Sequence, residues 1–408
     1  MAESIRDASV TVVIPTFNRS ALLRECLDAV FTQSVLPQEV IVMDDGSRDD
    51  TQQIVQTYTQ DIQLIHHENK GKAASLNVAI QAATHPWVWI VDDDDLVVST
   101  ALERLKNTLA DNGDIDFVYS QHDRFRTLDN GGIEYFDTGY WVECEDVDFH
   151  LATMEDFFAH QPGMLVSRDA YIKLGLFDEG LKRSQDYDML VRLACGFKGA
   201  LCKGISFHQR LHDGDRGADS DRFEVAQREA RWIEADKEIF RRLRHQLPVS
   251  DYLPRNISRY TWNMARQALL QRACIMGRKK LWNEAFLDIT RVSQMTQLGQ
   301  LTATEKAILK RLTGSKYGCE DILRSSDVIS GFTEIGEASP LGSSIIYNIA
   351  NGMKWRIKQA GLKFDLALAI RLMRIYLRLI WAAFRGAMQS PHLQPSRPNM
   401  VFVKPSDK

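Results

Sequence analysis

Four consecutive aspartates, Asp92 to Asp95, directly follow the apolar run Trp87-Val88-Trp89-Ile90-Val91. Adjacent carboxylates repel one another, and such a neighbourhood needs a cation to be tolerated. If extended backbone continues through them, Asp92 and Asp94 point to one side and Asp93 and Asp95 to the other. Such a pair suits a hard divalent ion such as Mg2+, which takes one or two carboxylates together with phosphate oxygens and water. Three more polar clusters precede the tetrad: Pro15-Thr16-Phe17-Asn18-Arg19, Asp44-Asp45-Gly46-Ser47 and His66-His67-Glu68-Asn69-Lys70-Gly71-Lys72. Any one of them is also ordinary turn or helix-capping chemistry. Four in series are a candidate site. Further along, Asp186 opens a helical pattern (Tyr187, Leu190, Val191, Ala194). A carboxylate there faces the positive helix end, which favours its ionised form, and it can accept a proton from a hydroxyl. A plain N-terminal helix aspartate is the competing reading.

The elements that must position these residues alternate. Val10–Ile14, Glu39–Met43, Ile62–Ile65, Trp87–Val91 and Ile115–Tyr119 are short and rich in Val and Ile, and read as strands. Ser20–Thr32, Asp49–Tyr58, Lys72–Ala83 and Thr100–Leu109 lie between them with helical spacing of apolar residues. The alternation predicts a mostly parallel α/β sheet covered on both faces. In such sheets ligands sit at the carboxyl ends of the strands, where the polar clusters stand.

The 408 residues carry 44% hydrophobic and 25% charged side chains and a net charge of −4. A generally basic nucleic-acid binder and a disordered chain are both excluded on that composition. The six cysteines form no C-x-x-C pair, which argues for reduced thiols in a cytoplasmic protein. No G-x-G-x-x-G follows the first strand and no G-x-x-x-x-G-K-[ST] occurs anywhere, so a dinucleotide dehydrogenase or P-loop enzyme lacks its phosphate cradle. A metal on carboxylates plus a few basic side chains is the other way to hold a diphosphate.

Taken together, these segments resemble the inverting glycosyltransferases of family 2, over residues 8–218. Val12-Val13-Ile14-Pro15-Thr16-Phe17-Asn18-Arg19 resembles the family's first strand and loop, and Asp44-Asp45-Gly46-Ser47 its nucleotide-binding segment. Asn69 to Asn77 resembles the third motif, and Asp92-Asp93-Asp94-Asp95 the D-x-D-D metal motif. Gly175 to Leu181 with Gln185-Asp186-Tyr187-Asp188 resembles the acceptor-side block, and Arg210-Leu211-His212 the late R-x-H signature.

The resemblance implies the GT-A fold and a metal-dependent, hexosyltransferase-type transfer from a nucleotide sugar, most often UDP-linked, with Mn2+ or Mg2+. Pro15 and Asn18 would line the nucleotide pocket, Asp45 would meet the base, Lys72 the base or phosphate, and Asp92 the ribose. Asp94 and His212 would bind the metal, Arg210 and Arg216 would help hold the diphosphate, and Asp186 would be the general base with Asp188 as runner-up. The family usually has Glu before that base; Gln185 stands there, which puts its acceptor contact in question. Among the aromatics of residues 120–163, Trp141 is the candidate for stacking on an acceptor sugar. The acceptor would be a glycan, a glycolipid or another hydroxyl compound of cell-surface synthesis. A sugar-phosphate nucleotidyltransferase would want a glycine-rich first loop, which Pro15–Arg19 is not. A non-catalytic glycan- or membrane-binding scaffold would be signalled by loss of the aspartates, which are present.

Beyond residue 218 the sequence predicts a helical accessory domain over 219–329, a Gly/Ser-rich linker over 330–352, a basic amphipathic helix over 353–388 and a flexible tail over 389–408. Residues 354–385 hold eight basic residues against one acid, a net +7, which leaves −11 for the rest of the −4 chain. Arg371, Arg374, Arg378 and Arg385 fall on one helical face, with Leu366, Ile370, Met373, Leu377, Ile380 and Phe384 on the other side. A helix lying on the cytoplasmic face of an anionic membrane, or one packed on a protein partner, would look like this.

Overall fold

The computed structural model describes residues 8–128, 130–211, 228–257 and 261–388. Among the described residues nine strands form one sheet: β1 (Val10–Thr16), β2 (Glu39–Asp44), β3 (Gln63–His66), β4 (Trp87–Ile90), β5 (Leu96–Val97), β6 (Phe117–Thr127), β7 (Ile133–Thr138), β8 (Met164–Ser167) and β9 (Gly199–Arg210). The path runs β3-β2-β1-β4-β8-β6-β9-β5, with β7 paired to β6. The first four strands are parallel, and β8 lies antiparallel to both β4 and β6. The sheet is thus mixed, not mostly parallel: β6 and β9 run with the first four strands, whereas β5, β7 and β8 run against them.

Helices α1 (Ser20–Phe31), α2 (Thr51–Gln56), α3 (Lys72–Ala82) and α4 (Ala101–Asp111) connect the first strands, close to their expected bounds. Every residue of β1 is buried, as befits a central strand covered on both faces. Leu23, Cys26, Leu27 and Val30 give α1 its buried stripe against this core. Three more helices follow among the described residues, α5 (Phe149–Glu155), α6 (Arg168–Lys173) and α7 (Gln185–Gly196). After β9 every described element is helical: α8 (Arg228–Gln246), α9 (Trp262–Arg278), α10 (Trp282–Ser293), α11 (Ala303–Arg311), α12 (Ser326–Ala338), α13 (Pro340–Gly352), α14 (Lys354–Leu362) and α15 (Leu366–Ala387), with short 3-10 turns between.

The chain divides into two compact units. The first comprises Met1–Ala268, Ile275–Leu281 and Ser315–Tyr317, so the unit that holds the sheet runs well past the expected boundary at 218. The second comprises Leu269–Cys274, Trp282–Gly314 and Gly318–Lys408.

The stretch expected as a linker is instead two helices, α12 and α13. Its small and turn-forming residues are helix starts and close contacts. Ser325 caps α12, and Ser339 caps α13 by accepting from Gly342 N at 3.0 Å, with Pro340 in the first turn. A Cβ on Gly386 would lie 1.9 Å from the Gly336 carbonyl oxygen, so glycines let α12 and α15 approach backbone to backbone. The expected single basic helix is likewise two, α14 and α15, broken at Lys363–Asp365 where Phe364 has φ +58°. Asp365 caps the second by accepting from Leu368 N at 3.0 Å. Residues 389–408 lie outside the described residues.

Candidate active site

A cleft of about 1050 Å³ opens where the expected clusters meet. Its lining draws on the ends of β1, β2, β4 and β9, the start of α3 and the start of α7, all in the first unit. Pro15, Asn18, Asp45, Lys72, Asp92, Asp94, Gln185, Asp186 and Arg210 all line it.

The tetrad is not a continuation of β4: it turns at Asp93 and Asp94, with Asp95 N donating to the Asp92 carbonyl oxygen at 3.1 Å, and burial alternates within that turn. Asp93 and Asp95 are buried, while Asp92 and Asp94 face the cleft with side chains 28% and 17% exposed. The inner pair is held in place: Asp93 accepts from Thr16 Oγ1 at 2.8 Å and Arg19 Nη1 at 3.0 Å, and Asp95 accepts from Arg210 N at 2.9 Å. Burial pushes Asp93 up to about 6 against the pull of Arg19, and drives Asp95 well above the carboxylate range.

Arg210 is a brace. Its Nε donates to the Asp94 carbonyl oxygen at 2.9 Å, its Nη2 pairs with Glu25 at 2.6 Å, Nη1 bonds Thr127 Oγ1, and the guanidinium lies 4.4 Å over the Phe125 ring. The guanidinium expected to help hold a diphosphate is therefore engaged on all three nitrogens with protein, and it fixes the backbone that presents Asp94.

Lys72 reaches from the first turn of α3 to Asp92 Oδ1 at 2.5 Å. Burial works against its charge, but Asp92 and Asp186 outweigh it and raise its pKa, so it is a fixed cation. Asp186 sits in the first turn of α7 with Oδ1 accepting from Tyr187 N at 2.9 Å. Its pKa is raised, by burial first, with Lys72 pulling down and Asp92 pushing up.

The first two loops are locked together. Asn18, at φ +52°, donates its N–H to Ser47 Oγ at 2.9 Å and accepts from Arg48 N at 2.7 Å. Asp45 accepts from Lys70 N at 2.8 Å and Gly71 N at 3.0 Å, so the carboxylate expected to meet a base also orders the third loop. Gly46, at φ +86°, allows that approach: a Cβ there would stand 2.8 Å from Asn69 N.

Other expectations resolve differently. Asp188, the runner-up base, is buried and held by Arg192 Nε at 2.8 Å and by Arg242, which removes it from the competition. Gln185 donates to the Leu181 carbonyl oxygen at 2.8 Å. Trp141 does not line the cleft; it stacks on Tyr119 with centroids 6.3 Å apart and meets Phe158 edge-on at 5.1 Å, which is ordinary packing. Its neighbour Tyr140 and Phe157 line the cleft instead. His212 and Arg216 lie outside the described residues.

Sequence reasoning passed over Arg19, which bridges Asp93 and Asp94, although it was visible as the one cation after the first strand. It also missed Trp232, Lys316 and Tyr317, which line the cleft from segments far along the chain. Lys316 Nζ lies 5.6 Å from the Phe157 ring centroid and 5.1 Å from that of Tyr317. No motif ties these residues to the strand-end clusters, so only the fold reveals them.

Among the described residues no three His, Cys, Asp or Glu side chains are grouped to hold a metal ion. Two cleft-facing carboxylates are nonetheless the donor set that Mg2+ or Mn2+ accepts when phosphate oxygens and water fill the remaining positions, at roughly 2.1 Å. Asp92 and Asp94 are donors of that kind, each with one oxygen already held, by Lys72 and by Arg19.

Residues 11–175 match the family model described as glycosyl transferase family 2. The resemblance read from the sequence is borne out over that stretch, and with it the α/β GT-A fold followed by a mainly helical region. An uncharacterized glycosyltransferase of Haemophilus influenzae is 25% identical over 185 residues, which cover 45% of this chain and 61% of that protein. The glycosyltransferase GlyG of Streptococcus pneumoniae is 32% identical over 134 residues, 32% of this chain and 44% of that one. The chain thus spans less than two thirds of the length of either relative. Among solved structures, TarS 1-349 of S. aureus in complex with UDP-GlcNAc aligns over 75% of this chain and 85% of that chain at 16% identity, TM-score 0.49. A mannosyltransferase of Pyrobaculum calidifontis in complex with GDP-Man and Mn2+ aligns over 84% and 86% at 19% identity, TM-score 0.44.

Proposed function

We propose that this chain is a metal-dependent inverting glycosyltransferase that moves a sugar from a UDP-linked donor to the hydroxyl of a glycan or glycolipid acceptor. One observation carries the proposal: Asp186, Lys72, Asp92 and Asp94, from three separate segments, line a single cleft at the strand ends of a glycosyltransferase-like sheet.

Inverting transfer is an in-line displacement at the anomeric carbon. The acceptor oxygen forms the new bond, its proton passes to the Asp186 carboxylate, and the bond to the diphosphate breaks with its electron pair on the leaving oxygen. Lys72 supplies fixed positive charge in the same cleft, where negative charge develops on the leaving group. Asp94, with Asp92 beside it, would hold the divalent ion, which when bound neutralises diphosphate charge. Tyr140, Phe157, Trp232 and Tyr317 offer aromatic faces to an acceptor sugar.

Incubation with a panel of UDP- and GDP-sugars and Mn2+ or Mg2+, reading nucleoside diphosphate release, tests this. Release is expected with a UDP-sugar, abolished by chelator and by Asp94→Ala. Asp186→Asn should lower transfer by roughly 10²–10⁴-fold while slow donor hydrolysis survives. Equal release in chelator would overturn the metal role, and no release from any donor would overturn the enzyme.

A further inference from the structure

α15 carries apolar residues on two faces. Leu372, Ile375, Leu379, Ala382, Ala383 and Gly386 are buried, in the packing of α15 on α12 and α13. The second set is exposed: Leu366 is 65% accessible, Ile370 54%, Met373 41%, Leu377 57%, Trp381 58% and Phe384 52%. At about 100° per residue these six fall within roughly 80° of one another, nearly opposite the buried face. The far side of a helix already packed on its own core is normally polar.

Between the two faces runs a band of arginines, Arg371, Arg374, Arg378 and Arg385. They flank the exposed stripe; they do not oppose it, as the sequence suggested. Arg385 pairs with Glu337. Arg371, Arg374 and Arg378 are exposed. The stripe continues into the α14–α15 corner, where Leu362 is 69% and Phe364 88% exposed, with Lys363 exposed between them.

We propose that α15 is an interfacial helix that lays this stripe into the surface of an anionic lipid bilayer. Acyl chains match the apolar strip, and anionic headgroups match the arginine flank at the depth where long basic side chains snorkel outward. α15 contains no Asp or Glu. A second copy of the chain seated on the same stripe would bring a second arginine band beside the first, with no acid on either helix to offset it. Among the described residues no helix is long and apolar enough to cross a membrane, which agrees with a helix that lies on one.

Flotation of the full chain decides it, with vesicles of phosphatidylcholine alone or with 30% phosphatidylglycerol. The chain should float with the anionic vesicles and bind the neutral ones more than ten-fold less. The joint change Ile370→Ser, Leu377→Ser, Trp381→Ser and Phe384→Ser should lower binding at least ten-fold at an unchanged circular dichroism spectrum. The joint change Arg371→Gln, Arg374→Gln and Arg378→Gln should do the same on anionic vesicles only, which keeps the test open if the first variant misfolds. Binding that ignores lipid charge, or that survives both sets of changes, overturns the proposal. So does a lipid-independent dimer in sedimentation that the serine changes abolish.

Discussion

Arg19 Nη1 stands 2.9 Å from Asp94 Oδ2, so a guanidinium holds the carboxylate that the proposed function gives to a metal. The same nitrogen pairs with Asp93, and the Arg19 side chain is 42% exposed. The cation that makes four adjacent aspartates tolerable is therefore built into the chain.

Arg19→Gln leaves Asp93 and Asp94 without that charge. The metal-free variant should melt below the wild type, because the buried Asp93 carboxylate loses its cation. Mn2+ with UDP should then raise its melting temperature by more than it raises that of the wild type, because the ion no longer displaces a resident cation. Differential scanning fluorimetry with and without Mn2+ and UDP measures both. A smaller Mn2+ shift in the variant would show that Arg19 helps hold the ligand and does not compete with the ion.

The environment of Asp186 sets a pH dependence with a definite sign. A base must be ionised, so kcat/KM should climb as pH rises through its raised pKa. Lys72 pulls that pKa down, so Lys72→Met should move the acid limb to higher pH; Asp92 pushes it up, so Asp92→Asn should move the limb to lower pH. Opposite displacements in the two pH profiles are the signature. Parallel displacements would remove Asp186 from the role of base.

The loop junction at Gly46 predicts a contrast between two glycines. Gly46→Ala meets backbone at 2.8 Å and holds φ +86°, whereas Gly113→Ala holds φ +50° with nothing within 4 Å. Gly113→Ala should cost about 1 kcal/mol in chemical denaturation. Gly46→Ala should cost more, and it alone should weaken UDP binding in calorimetry, because it pushes the third loop away from Asp45.

The strand-end clusters were legible because the parallel βα pattern places every such residue on one rim. Asp92, Asp94, Lys72 and Asp186 reached the cleft from spacing and motif alone. Partners set by packing were not legible. Arg210 looked like a diphosphate ligand because a cation near a site reads so in one dimension, yet it is spent on Glu25, Thr127 and the Asp94 carbonyl. Trp141 and Tyr140 are adjacent in sequence and only the second lines the cleft. The Gly/Ser-rich stretch misled for a related reason: small residues mark flexible linkers and tight helix crossings alike, and composition does not separate them.

The change of direction between β4 and β8 bears on how the chain is made. The β1 partner of β4 has been made by the time residue 90 emerges, but its other neighbour β8 begins only at Met164. For about seventy residues of synthesis the Trp-Val-Trp-Ile strand is an open, apolar edge. At roughly 5–20 residues per second that exposure lasts several seconds on the ribosome. The strand that presents the aspartates is thus a segment of the nascent chain that needs protection until β8 is made.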